Sequence, residues 1–134
     1  MEFSVRYLIE SDYEMLCQWW KNWRFPAPQR DFLPENGCGG LLVKKNGIPI
    51  VAGFIYFTNS AVAWNEFIVS NFDYKDKDRK EAIKILIFEL TDLAKRNGSK
   101  YVYTVVKNQN LKKAYQEIGF SNGSVKVDEM VMVL

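Results

Sequence analysis

Apolar and polar positions alternate through EFSVRYL, residues 2–8, and predict a first strand. The polar run SDYE follows. Ser11 and Glu14 stand at the spacing of a capping box, which predicts a helix from there to about Trp23. Leu16, Trp19, Trp20 and Trp23 recur at three- and four-residue intervals and give that helix one apolar face. The prolines of RFPAPQRDFLPENG interrupt the periodicity and predict a loop with room for one helical turn. CGGLLVKK and IPIVAGFIYFT, joined by Asn46-Gly47, read as a hairpin on a type I′ turn. VAWNEFIVS, residues 62–70, extends the hairpin into a three-stranded antiparallel meander.

Beyond the polar loop NFDYKDKD, Ile83, Leu86, Leu90 and Leu93 or Ala94 lie on one stripe of the longest predicted helix, residues 79–97, which Gly98 stops. KYVYTVV, residues 100–106, is a nearly continuous apolar run, the pattern of a strand covered on both faces. NQNLKKAYQEIGF supplies a short last helix, and SVKVDEMVMVL one or two terminal strands. The order β-α-βββ-α-β-α-β predicts an α+β (mixed α/β) fold. Its central sheet is mixed but mostly antiparallel, with six or seven strands flanked by helices. The long helix must return the fifth strand parallel to the fourth. With 134 residues and no repeat or linker, residues 1–134 are expected to form a single domain.

Composition narrows the chemistry. Hydrophobic residues at 48% and charged residues at 25% are the mixture of a soluble globular protein. A net charge of +2 is too small to imply nucleic acid or an anionic membrane, so neither is an expected partner. No apolar run is long enough to span a bilayer, and the start lacks the marks of a signal peptide. The expectation is a cytoplasmic protein with both thiols reduced. The chain has no histidine, which removes Ser–His and Cys–His nucleophile pairs and any His-containing zinc site. Cys17 and Cys38 have no metal-ligand spacing. Acid–base chemistry falls to carboxylates, tyrosine, lysine, cysteine or water.

The element order, residues 62–98 and the stretch NQNLKKAYQEIGF together resemble the GCN5-related N-acetyltransferase (GNAT) family. Asn108, Tyr115, Gly119 and Phe120 match the family's C-terminal signature position for position. The resemblance implies acetyl-CoA as co-substrate and Tyr115 as the acid that protonates the departing thiolate. It implies that the backbone of Phe67, Ile68 and Val69 holds the pantetheine arm, that Asn108 contacts the coenzyme, and that Glu66 deprotonates the amine. Each side chain also has a plainer reading: Tyr115 packing its helix on the sheet, Asn108 capping that helix, Glu66 on an exposed sheet face.

The stretch KDRKEA is where the chain departs from the family, whose phosphate loop carries glycines that let backbone N–H groups close on pyrophosphate. Here Lys80 stands where glycine is expected, and only Ala82 fits, so the loop is degenerate. Asp78, with Glu81 three residues on, reads as a self-sufficient helix cap, and Asp76 and Asp78 repel phosphate. Lys75, Lys77, Arg79 and Lys80 are four cations in six residues, able to hold phosphates through side chains or to form a solvated loop. On the acceptor side, Trp19, Trp20, Trp23 and Phe25 are candidate walls and Asp31 or Glu35 a candidate for attracting an amine. The implied function is acetyl transfer to a small-molecule or terminal amine by direct attack in a ternary complex, in a monomer or homodimer. The alternative is an inactive binding or structural protein of the same fold that has lost acetyl-CoA use.

Overall fold

The structure, a computed structural model, describes residues 2–75 and 77–134. Five strands form one sheet in the order β1 (Phe3–Tyr7), β2 (Gly40–Lys45), β3 (Ile48–Phe57), β4 (Val62–Ser70) and β5 (Tyr101–Thr104). The first four pair antiparallel and β5 joins β4 in parallel. The parallel step is the one the long crossover helix requires. Asn46 and Gly47 both have positive φ, 51° and 81°, as a type I′ turn demands.

Alternation along the strands sends side chains to two separate cores. Leu42, Ala52, Phe54 and Val69 meet Leu16, Trp19 and Trp20 of α1 (Asp12–Asn22) on one face. Leu41, Val43, Val51, Ile55 and Ala63 meet Ala82, Leu86, Leu90 and Leu93 of α2 (Arg79–Arg96) on the other. Each large apolar side chain so buried contributes roughly 1.5–3 kcal/mol. The last helix, α3 (Gln109–Ile118), packs Ala114 and Tyr115 against Ile87 of α2.

Several expectations give way here. Among the described residues the sheet has five strands, not six or seven, and residues 121–134 are exposed and outside any ladder. Alternation supplies only β-propensity, whereas a strand also needs a partner's edge to bond. β5 is not covered on both faces: it closes the sheet order and exposes Tyr101 and Tyr103. Ser11 makes no side-chain cap. The Asp12 carboxylate instead accepts from the Ile9 N–H at 2.8 Å and takes both arms of the Arg6 guanidinium at 2.8 and 3.0 Å, tying the start of α1 to β1. The proline-rich loop holds two short 3-10 turns, Arg30–Phe32 and Pro34–Gly37, rather than one.

Candidate functional site

The site begins with a fault in the β3–β4 ladder. Ala52 pairs with Val69 and Phe54 with Glu66, so Gly53 alone opposes both Phe67 and Ile68. This is a β-bulge, and it puts Phe67 at φ 57°, a conformation that costs a side-chain-bearing residue about 1–2 kcal/mol. Gly53 makes room for it: a Cβ there would sit 2.9 Å from Ile68 Cγ1 and 3.1 Å from Leu86 Cδ2. Because of the bulge, Phe67 packs on the α1 side while Ile68 packs on the α2 side.

On the other side of β4 the parallel ladder stops at Asn65 and Thr104. The next N–H of that strand, Val105, is held at 3.0 Å by Glu66 Oε1 instead of a backbone carbonyl. From there the two strands part, and a cavity of about 630 Å³ opens alongside Phe67, Ile68, Val69 and Ser70. Arg79, Lys80 and Ile83 of α2 line it, as do Asn108, Leu111 and Ala114 at the start of α3. Trp20, Trp23 and Phe25 close it from the end of α1. Trp23 is fixed by its indole N–H, which donates to the Ser70 carbonyl at 2.8 Å, and by an edge-on contact with Phe72.

Glu66 and Tyr115 do not line this cavity, but each is next in sequence to a residue that does. Burial pushes the Glu66 carboxyl above the usual glutamate range, partly offset by its bonds to Val105 and Thr104. Tyr115 is only 3% exposed, and burial pushes its hydroxyl up to about 12, so at neutral pH it is a donor. Thr104 Oγ1 lies 3.3 Å from each of them. Asn65, fully buried in the same cluster, has no hydrogen-bond partner on either atom of its amide. Neither Thr104 nor Asn65 is legible as a site residue in sequence, since both sit where any strand residue fits.

At the coenzyme end the candidates separate. Asn108 does both things asked of it: its Oδ1 accepts from Leu111 N–H at 3.0 Å as the cap of α3, and it lines the cavity. Lys80 is exposed at the cavity wall; Lys77 is exposed and does not line it. Ala82 is wholly buried in the core, and its N–H is spent on the Asp78 carbonyl. Arg79 lines the cavity, yet its Nη2 donates to the carbonyls of Asn71 at 3.0 Å, Phe72 at 3.4 Å and Tyr74. That guanidinium therefore ties down the preceding loop. Asp78 does not cap α2 with its side chain. Its carboxylate is taken by the Lys45 ammonium and the Tyr74 hydroxyl, so its charge is neutralised and the N-terminal N–H groups of α2 keep no side-chain cap. Asp76 lies outside the described residues. On the acceptor side Trp19 belongs to the core, Asp31 does not line the cavity, and Glu35 lines a second cavity with Cys38 and Tyr56.

No protein-family model matches the sequence, and a search of the curated proteins finds no match. Solved structures do match in shape. The chain is similar to the ribosomal-protein-S18-alanine N-acetyltransferase of Escherichia coli, with TM-score 0.73 and 16% identity over 92% of this chain and 80% of that one. It is similar to glucosamine-6-phosphate N-acetyltransferase from Arabidopsis thaliana, with TM-score 0.62 and 17% identity over 97% and 99%. It is also similar to N-acetylglutamate synthase from Neisseria gonorrhoeae, complexed with coenzyme A and N-acetyl-glutamate, with TM-score 0.74 and 13% identity over 92% of this chain and 29% of that one. The chain has the GNAT fold. Among the described residues no helix is long and apolar enough to cross a membrane.

Proposed function

We propose that this chain is an acetyl-CoA-dependent N-acetyltransferase acting on a small-molecule or terminal amine. The observation that carries the reading is the bulge at Phe67 beside a cavity that opens where β4 and β5 part. A bulge frees backbone groups from the ladder and aims them elsewhere, here along the wall of the cavity. The backbone of Phe67, Ile68 and Val69 holds that arm. The uncapped N-terminus of α2 and the ammonium of Lys80 take the pyrophosphate in place of a glycine loop. Glu66 accepts the amine proton, and Tyr115 protonates the departing sulfur. Cys17 and Cys38 take no part, so no covalent enzyme intermediate forms. The similarity of fold to acetyltransferases, one of them bound to coenzyme A, supports this reading.

A second reading, a protein of this fold that has lost acetyl-CoA use, is favoured by Arg79, whose Nη2 is turned to its own loop. Calorimetry with acetyl-CoA separates the two. Micromolar binding, weakened about tenfold or more by Lys80→Glu and unchanged by Tyr115→Phe, is the expected result. Absence of binding at millimolar coenzyme would establish the second reading.

A further inference from the structure

The proposed base and the proposed acid share a neighbour. Thr104 Oγ1 lies 2.8 Å from the Asn65 carbonyl oxygen, 3.3 Å from Glu66 Oε1 and 3.3 Å from the Tyr115 hydroxyl. It has one proton and three oxygens within reach, and it accepts as well as donates. We propose that Thr104 is a proton relay that returns to Tyr115, through its own hydroxyl, the proton that Glu66 takes from the attacking nucleophile. The inference rests on the acetyltransferase reading and deepens it.

The balance of protons shows why a relay is needed. As a neutral amine attacks the acetyl carbonyl, the new C–N bond forms and the C–S bond breaks. Nitrogen loses one proton to the Glu66 carboxylate, and sulfur gains one from the Tyr115 hydroxyl. The protein is then left with a neutral Glu66 and a phenolate on a side chain only 3% exposed, an expensive place for a charge. Glu66 passes its proton to Thr104 Oγ1, whose own proton moves to the phenolate, and all three groups regain their starting forms. Nothing is gained or lost from solvent. The Tyr115 hydroxyl, pushed up to about 12, is a weaker acid than an ordinary thiol near 8.5, so a lone phenol gives up its proton against the gradient. Replenishment in the same step removes that difficulty. The buried amide of Asn65, which favours the ionised form of the Tyr115 hydroxyl, supplies a dipole to the passing charge. Between transfers the Asn65 carbonyl, the nearest of the three oxygens, holds the Thr104 proton.

Release of coenzyme A from acetyl-CoA tests this, with water as the nucleophile and then with a panel of primary amines. Water puts the same proton on Glu66, so no acceptor need be known. Thr104→Val should lower kcat at least about tenfold with the Kd for acetyl-CoA unchanged, and Thr104→Ser should restore it, since only the hydroxyl is required. Small buffer acids should partly rescue Thr104→Val and leave the wild type unaffected. If Thr104→Val does not fold, Thr104→Ala against Thr104→Ser makes the same comparison. An active wild type whose Thr104→Val variant keeps its rate within twofold overturns the relay alone. A wild type that releases no coenzyme A under either condition overturns the acetyltransferase reading and the relay with it.

Discussion

At the scale of single residues, Glu66 shows how a site can work against its own fold. Its folded pKa is raised, so the unfolded chain ionises first as pH climbs. Below the unfolded glutamate value, roughly 4.3, both states hold the proton and the group costs nothing. Stability falls as pH rises from there to the folded value and stays lower above it. Glu66→Gln keeps an acceptor for Val105 N–H without the charge. It should therefore raise the denaturation midpoint at pH 7 and leave it unchanged near pH 3, while lowering kcat by a factor of about 10²–10⁴. Urea melts at the two pH values check this; equal destabilisation at both would mean the carboxylate is structural. Tyr115 and Asn108 stand out in the sequence because, with Gly119 and Phe120, they match the signature of the family that the chain resembles. Thr104 and Asn65 were not, because hydrogen-bond reach across 39 residues leaves no local pattern.

At the scale of elements, the decisive feature is a pair of glycines that let three strands pack closely around the bulge. A Cβ on Gly40 would lie 2.1 Å from the Gly53 carbonyl oxygen, a backbone atom that cannot step aside. Gly40→Ala should cost about 3 kcal/mol or more and displace β3 behind the bulge. Gly123→Ala, which meets nothing within 4 Å, should stay within about 0.5 kcal/mol of wild type. Chemical denaturation of the two variants makes the comparison, and a mild Gly40→Ala would refute the tight packing. The bounds of β4 and the start of α2 followed from periodicity alone. The caps did not: Ser11 and Asp78 have the right type and place, yet Arg6 and Lys45 decide how the adjacent carboxylates of Asp12 and Asp78 are used. Sequence spacing sees only neighbours along the chain, and both cations come from other elements.

At the scale of the whole molecule, residues 121–134 contrast with the rest. Met130, Val131, Met132, Val133 and Leu134 are all exposed, while the two cores on either side of the sheet are closed. Deleting residues 124–134 should shift the unfolding free energy by less than about 0.5 kcal/mol and raise solubility, since every residue of the segment is exposed and it adds apolar surface. A large loss of stability on truncation would show that the tail is part of the fold.

The sequence by itself determined the two core faces, the hairpin turn, the crossover that makes β5 parallel to β4, and Tyr115 on the last helix. Each of these follows from periodicity or from a local backbone requirement. Tertiary structure alone decided where β4 and β5 part, which cations meet Asp12 and Asp78, that Ala82 is core, and that Thr104 stands between Glu66 and Tyr115. Those facts depend on distances between elements, which are set only when both cores have closed around the sheet.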